Sequence, residues 1–120
     1  WAFQNCSKLT RIGIPDTTTF IGLWAFQDCT ILNNVIVPDS VVDLAVGAFQ
    51  GCTSLDDIIL SKSLTNIRDN LFYGCTSLRS VTIPDSVTSI GQDAFRSCTN
   101  LTSITIPDKV TSIGMEAFMY

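Results

Sequence analysis

A chain of 120 residues, 46% apolar and 15% charged, has the size and composition of one globular domain and not of a disordered segment. Seven basic against eleven acidic residues leave a net charge of −4, the wrong sign for neutralising nucleic-acid phosphates, so nucleic acid is excluded as a partner. No apolar run approaches the roughly eighteen residues of a membrane helix, and the lack of His removes the commonest general base and metal ligand.

No cofactor is expected, and the chain does not read as an enzyme. It opens Trp1-Ala2-Phe3, with no Met and no leader, as a fragment of a longer protein would. The informative feature is self-similarity. Phe recurs at 3, 26, 49, 72, 95 and 118, and Cys at 6, 29, 52, 75 and 98, always in steps of 23. The chain therefore divides into five complete units (1–23, 24–46, 47–69, 70–92 and 93–115) and the opening of a sixth at 116–120. They share the pattern x-A-F-x-x-C-T-x-L-x-x-I-x-I-P-D-S-V-T-x-I-G-x.

Along one unit, the Ala-Phe pair predicts a turn or so of helix at most. The Leu-x-x-Ile-x-Ile run then alternates with the period of a short strand that has one face buried. Pro and Asp end that strand, because Pro lacks the amide a ladder needs and Asp favours turns. A Val and an Ile point inward again, and Gly supplies a permissive corner. Strands are predicted near 11–14, 34–37, 57–60, 80–83 and 103–106, all in one parallel sheet of a right-handed solenoid. One unit cannot bury its apolar columns alone, whereas stacked units can, so stability resides in the stack. Phe49 and Phe72 are expected deep in one spine of rings.

The runs Ala94-Phe95-Arg96-Ser97-Cys98-Thr99-Asn100-Leu101 and Ile104-Thr105-Ile106-Pro107-Asp108, followed by Val110-Thr111-Ser112-Ile113-Gly114, resemble the BspA-like class of leucine-rich repeats. The likeness covers the whole chain. Thr17, Ser40, Ser63 and Ser86 stand where other leucine-rich classes place a ladder Asn. The resemblance implies an extracellular or cell-surface location and an adhesin-like role toward extracellular-matrix or host-cell proteins. The chain departs from the pattern at Ser61-Lys62-Ser63, which replaces Pro-Asp-Ser, and at Thr18, Ala45 and Leu71.

Three groups could be taken for chemistry, and each has a better structural reading. The cysteines occupy one column flanked by Phe and Leu, with no Cys-x-x-Cys spacing, and read as buried free thiols rather than bridges or zinc ligands. Asp16, Asp39, Asp85 and Asp108 could form a calcium ladder, but Lys62 interrupts the column and turn duty explains it. Asp56 and Asp57 adjoin on a strand, and Arg79 falls in the column of Asp56, so a surface ion pair is expected there.

Function then falls to columns that vary and face outward. Asn34, Ile36, Asp57, Ile59 and Arg79 hold the most varied chemistry, with Ile36 and Ile59 adjacent as an apolar strip for a protein ligand. A second candidate edge is Phe20, Leu23 and Trp24, beside Trp1 and Val46. A binding module is favoured over its alternative, a structural spacer that carries no ligand of its own. End-to-end self-association through Trp1 and Phe3, or Phe118, Met119 and Tyr120, is a further expectation. Asn5-Cys6-Ser7 and Asn100-Leu101-Thr102 are glycosylation sequons only in a secretory eukaryotic context.

Overall fold

A computed structural model describes residues 1–120. It contains no helix and only two- and three-residue strands, all paired in parallel. The sheet predicted from the Leu-x-x-Ile-x-Ile runs exists but is confined to the middle rungs. It consists of β2 (Asn34–Ile36), β4 (Asp57–Ile59) and β6 (Ser80–Val81). Their registers, Asn34 to Asp57, Val35 to Ile58 and Asp57 to Ser80, fall 23 residues apart. The first rung contributes a single bridge, Arg11 to Asn34, instead of a strand at 11–14, and the fifth forms no strand at 103–106. The fifth stands off from the fourth by a cleft of about 390 Å³ bordered by Ser80, Thr82, Ser103 and Thr105.

A second parallel ladder, not expected from the sequence, forms on the other arm of each rung, after the Pro-Asp corner. Its strands are β1 (Phe20–Ile21), β3 (Asp43–Leu44), β5 (Asn66–Ile67), β7 (Ser89–Ile90) and β8 (Ser112–Ile113). Pairing joins β1 to β3 and β5 to β7 to β8, and is interrupted between β3 and β5. The interruption falls where two columns lapse together. Ser61 replaces the corner Pro and is wholly buried, its hydroxyl donating to the Val41 carbonyl at 2.6 Å. Arg68 stands in the glycine column and reaches back to Asp43, Nε to Oδ1 3.0 Å.

The glycine column matters because the rungs approach closely there. A Cβ added to Gly91 would lie 2.5 Å from the Asp69 amide nitrogen and 2.8 Å from the Arg68 carbonyl carbon. Gly91 and Gly114 donate their amides to Ile67 and Ile90 of the preceding rung, a bond that Arg68 does not make. Ala45 in the same column keeps its bond to Ile21, so a methyl group fits where the backbone has been set for it. Gly13, by contrast, has open space where a Cβ would sit, with nothing within 4 Å. Gly91→Ala should therefore cost about 1–3 kcal/mol and loosen β5 from β7, while Gly13→Ala stays within about 0.5 kcal/mol. Urea titration with amide exchange at Gly91 checks both, and equal costs would contradict the close-approach argument.

The third side of the rung is the Ala-Phe turn. Amides alternate along it. Those of Ala25, Gln27 and Cys29 close tight turns onto Gly22, Trp24 and Phe26, while those of Trp24, Phe26 and Asp28 donate to Val46, Ala48 and Gln50 of the next rung. Left-handed residues at both ends of the turn accompany this alternation. One column contains Trp24, Gly47, Asn70, Asp93 and Glu116, the other Asn5, Asp28, Gly51, Gly74 and Ser97, all at positive φ. Gly, Asn and Asp tolerate that conformation best, which is why they dominate both columns.

Inside the three layers, 30 buried side chains form one continuous core. All eight inward columns of the second, third and fourth units are in it, including Leu71 in place of Ala. The Phe column forms an unbroken stack from Phe3 to Phe118, with ring centroids between 5.2 Å and 5.9 Å apart. Phe49, Phe72 and Phe95 have no exposed surface. In the first rung, where Thr18 replaces the inward Val, an apolar cavity of about 230 Å³ opens between Phe3, Ile12, Ile14 and Phe26.

Candidate functional site

Two polar columns that resemble site motifs serve the stack. The thiols of Cys29, Cys52, Cys75 and Cys98 each donate to the carbonyl of the Phe one rung back, Phe3, Phe26, Phe49 and Phe72, at 3.0 to 3.2 Å. These four are buried, and Cys6 is half-buried. Burial pushes the Cys52 and Cys98 thiols up to about 12, and drives Cys75 and Cys29 in the same direction. Such thiols are poor nucleophiles and poor metal ligands at neutral pH. In the serine column, Ser63 donates to the Asp39 carbonyl at 2.7 Å and Ser86 to that of Lys62 at 2.8 Å. These two hydroxyls thus do the work of a ladder Asn, whereas the buried Ser40 hydroxyl of the same column has no partner. Asp39 accepts the Lys62 amide at 2.8 Å, in keeping with a turn role for the Asp column.

The candidate binding residues lie together on the outer face of the first sheet. Side chains at successive positions of a strand point to opposite faces, so Val35 and Ile58 enter the core while their neighbours face outward. Ile36 and Ile59 are paired partners in the β2 to β4 register and stay 64% and 55% exposed. Large β-branched side chains left this open on adjacent strands form a contiguous apolar strip. Asn34 and Asp57, also register partners, run alongside it and are exposed. Arg79 sits beyond them, its Nε 3.0 Å from Asp56 Oδ1, as the shared column predicts. Both members of that pair are largely exposed, so its contribution to stability is about 0.2–1 kcal/mol. Ile36 also borders a cleft of about 320 Å³ between the first and second rungs, with Arg11, Asp16 and Asn34 on its rim.

In the second candidate edge, Phe20 is exposed on β1 with Asp43 as its register partner, and Leu23 is exposed. Trp24 stacks on Trp1 at 5.9 Å, in the column the two share. The Gln column beside these indoles, Gln4, Gln27 and Gln50, does not stand out as a site in sequence; its regular 23-residue spacing is the one signal of it there.

The sequence matches the BspA type leucine rich repeat region, in six copies over residues 1–120. The chain belongs to that family. A leucine rich cell surface protein from Faecalibacterium prausnitzii is 41% identical over 92% of this chain and 29% of its own, with a TM-score of 0.89. A leucine rich repeat protein from T. pallidum is 35% identical over 92% of this chain and 54% of its own, with a TM-score of 0.88. A leucine-rich repeat protein from Bacteroides ovatus is 34% identical over 83% of this chain and 26% of its own, with a TM-score of 0.76. The chain thus spans between about a quarter and about half of the length of these relatives. No curated protein matches the sequence. No helix is long and apolar enough to cross a membrane.

Proposed function

We propose that this leucine-rich repeat module binds a protein partner at a cell surface, in the manner of an adhesin, through the outer face of its first sheet. The observation that carries this reading is the exposed Ile36 and Ile59 pair in register, bordered by Asn34, Asp57 and Arg79. An apolar centre with a mixed polar rim is the usual anatomy of a protein-binding patch. A spacer needs no such strip, and its outward columns would be uniform. The fourth and fifth rungs have that uniform character, with Ser80, Thr82, Ser103 and Thr105 in the matching columns. The apolar centre of the patch is therefore local to the second and third rungs, with Arg79 of the fourth on its rim. Surface location is supported by the Faecalibacterium relative, which is a cell surface protein. Extracellular-matrix or host-surface proteins are the partner class this reading implies.

The test replaces Ile36 and Ile59 together with Ser. Both side chains face solvent, so folding stability should change by no more than about 1 kcal/mol. Adhesion to immobilised matrix protein should be abolished. Undiminished adhesion by a folded double variant would move the interaction off this sheet or favour the spacer.

A further inference from the structure

The left-handed column at the head of each rung carries Trp24, Gly47, Asn70, Asp93 and Glu116, with φ between 48° and 64°. Gly, Asn and Asp are at home there, whereas a bulky aromatic is an outlier. The backbone duty of the position does not ask for one. The amides of Trp24, Gly47, Asn70 and Asp93 make the same bond to the next rung, at 2.9 to 3.2 Å. Trp24 also lies outside the core cluster. Its indole stacks on Trp1 with 20° between the ring planes, and Trp1 is 70% exposed. The other neighbour is Gly47, where an added Cβ would come within 2.6 Å of the Trp24 indole nitrogen, so the rung above is bare where the ring lies. A residue costly to the backbone and unneeded by the core points to a ligand.

The adjoining column on this edge is Gln4, Gln27 and Gln50. Gln4 donates from Nε2 to Gln27 Oε1 at 2.7 Å, while the Gln27 amide group and the Gln50 carboxamide engage no protein group. Trp1, Trp24 and the three Gln side chains line one shallow groove of about 410 Å³ that contains no ionisable side chain. On later rungs the same two columns change chemistry. Tyr73 and Arg96 replace Gln, and the Arg96 guanidinium is committed to Asp93 and Glu116 and lies 5.9 Å from the Tyr73 ring.

We infer that this groove binds an uncharged oligosaccharide, at a site separate from the proposed protein-binding sheet. Indole rings offer flat apolar surface to the C–H face of a pyranose, and each carboxamide offers a donor and an acceptor to neighbouring hydroxyls. Repetition of the carboxamide on successive rungs suits a chain of sugars over a single one. The lining has no ionisable side chain, and the Trp1 ammonium beside it donates to the Leu23 carbonyl, so an acidic or phosphorylated glycan finds no Arg or Lys partner there.

Trp1 and Trp24 are the only tryptophans, so intrinsic fluorescence reports on the groove directly. Titration with cellohexaose and, separately, with chitohexaose should give a saturable change with at least one of them, at roughly millimolar affinity. Added sodium chloride should leave it unchanged, and hexagalacturonate should give none. Trp24→Asn places in this column the residue that position 70 already carries, so the variant should keep its thermal midpoint while calorimetric affinity falls by about tenfold or more. Gln27→Ala should weaken binding without altering the fold. Silence toward both neutral hexasaccharides, equal binding of the acidic one, or unchanged affinity in folded Trp24→Asn would each overturn the inference. So would a protein ligand lost on Trp24→Asn while no oligosaccharide registers.

Discussion

Phe72→Ala is expected to destabilise the chain by about 3–5 kcal/mol, the range for deleting a fully buried core aromatic. Phe72 has no exposed surface and stacks between Phe49 at 5.9 Å and Phe95 at 5.3 Å, so its loss leaves a cavity that neighbouring rungs on both sides must close. In a linear array each rung is stabilised mainly by its neighbours, and a break at the centre uncouples the two halves. Phe118 tests the argument from the other direction. It is half-buried and stacks on Phe95 alone at 5.4 Å, so Phe118→Ala should cost only about 1 kcal/mol. Denaturant titration of both variants measures the difference. Equal losses would mean that stability is not transmitted through the stack, and a lower slope for Phe72→Ala would show that the halves melt separately.

What the sequence made legible was whatever recurs with an apolar or reactive side chain. The Phe spine, the thiol column and the strands at Asn34–Ile36 and Asp57–Ile59 follow from the 23-residue period, because a column buried in one inner rung is buried in every inner rung. The second ladder was harder to see. Its strands are two residues long, as in Ser89–Ile90, and beyond Phe20 their outward residues are Asp43, Asn66, Ser89 and Ser112, which do not announce a strand. What holds them together is backbone approach, visible only as the glycine column. The lapse of that column at Arg68 coincides with the gap between β3 and β5, whereas the lapse at Ala45, equally plain in sequence, leaves the pairing intact. The turn geometry was likewise hidden. Asn5, Asp28, Gly51, Gly74 and Ser97 look dissimilar until their shared positive φ unites them.

The candidate patch shows the same division. Strand alternation alone places Ile36, Ile59, Asn34 and Asp57 outward, and the ion pair of Arg79 with Asp56 follows from their common column. The Trp and Gln groove was not legible as a unit. Trp24 reads as one aromatic among several, and only its backbone conformation and its ring stacked on Trp1 separate it from Phe20 and Leu23. The shortening of the first sheet at both ends was not legible either. Residues 103–106 carry the strand pattern, but a cleft of about 390 Å³ lies between them and the fourth rung, and the register bonds to Ser80 and Val81 do not close, although the same rung pairs through Ser112–Ile113 in the second ladder.

The thiol column implies an alkaline limit to the fold. Cys52 and Cys98 have an ordinary value of 9.0 when solvated, and burial raises both to about 12 in the folded chain. Below pH 9 the thiols are neutral whether the chain is folded or not, and they confer no pH dependence. Above it the unfolded chain releases these protons while the folded chain retains them, so stability falls as pH rises and the loss is complete only near the folded value. Across the roughly three pH units between the two values, at about 1.36 kcal/mol for each, Cys52 and Cys98 together remove on the order of 8 kcal/mol by pH 12. Cys75 and Cys29 are shifted the same way, by burial first, with the neighbouring thiols adding to the rise and a backbone hydrogen bond opposing it. That loss is comparable with the whole stability of a domain this size, about 5–15 kcal/mol. Urea titrations under reducing conditions should therefore give a midpoint that holds steady through neutral pH and declines steeply above pH 9. The Cys52→Ala, Cys98→Ala double variant starts lower, because two buried sulfurs are lost, but should decline with a shallower slope. A midpoint that stays level into the alkaline range would contradict the buried-thiol ladder, and an unchanged slope in the double variant would assign the decline to other groups.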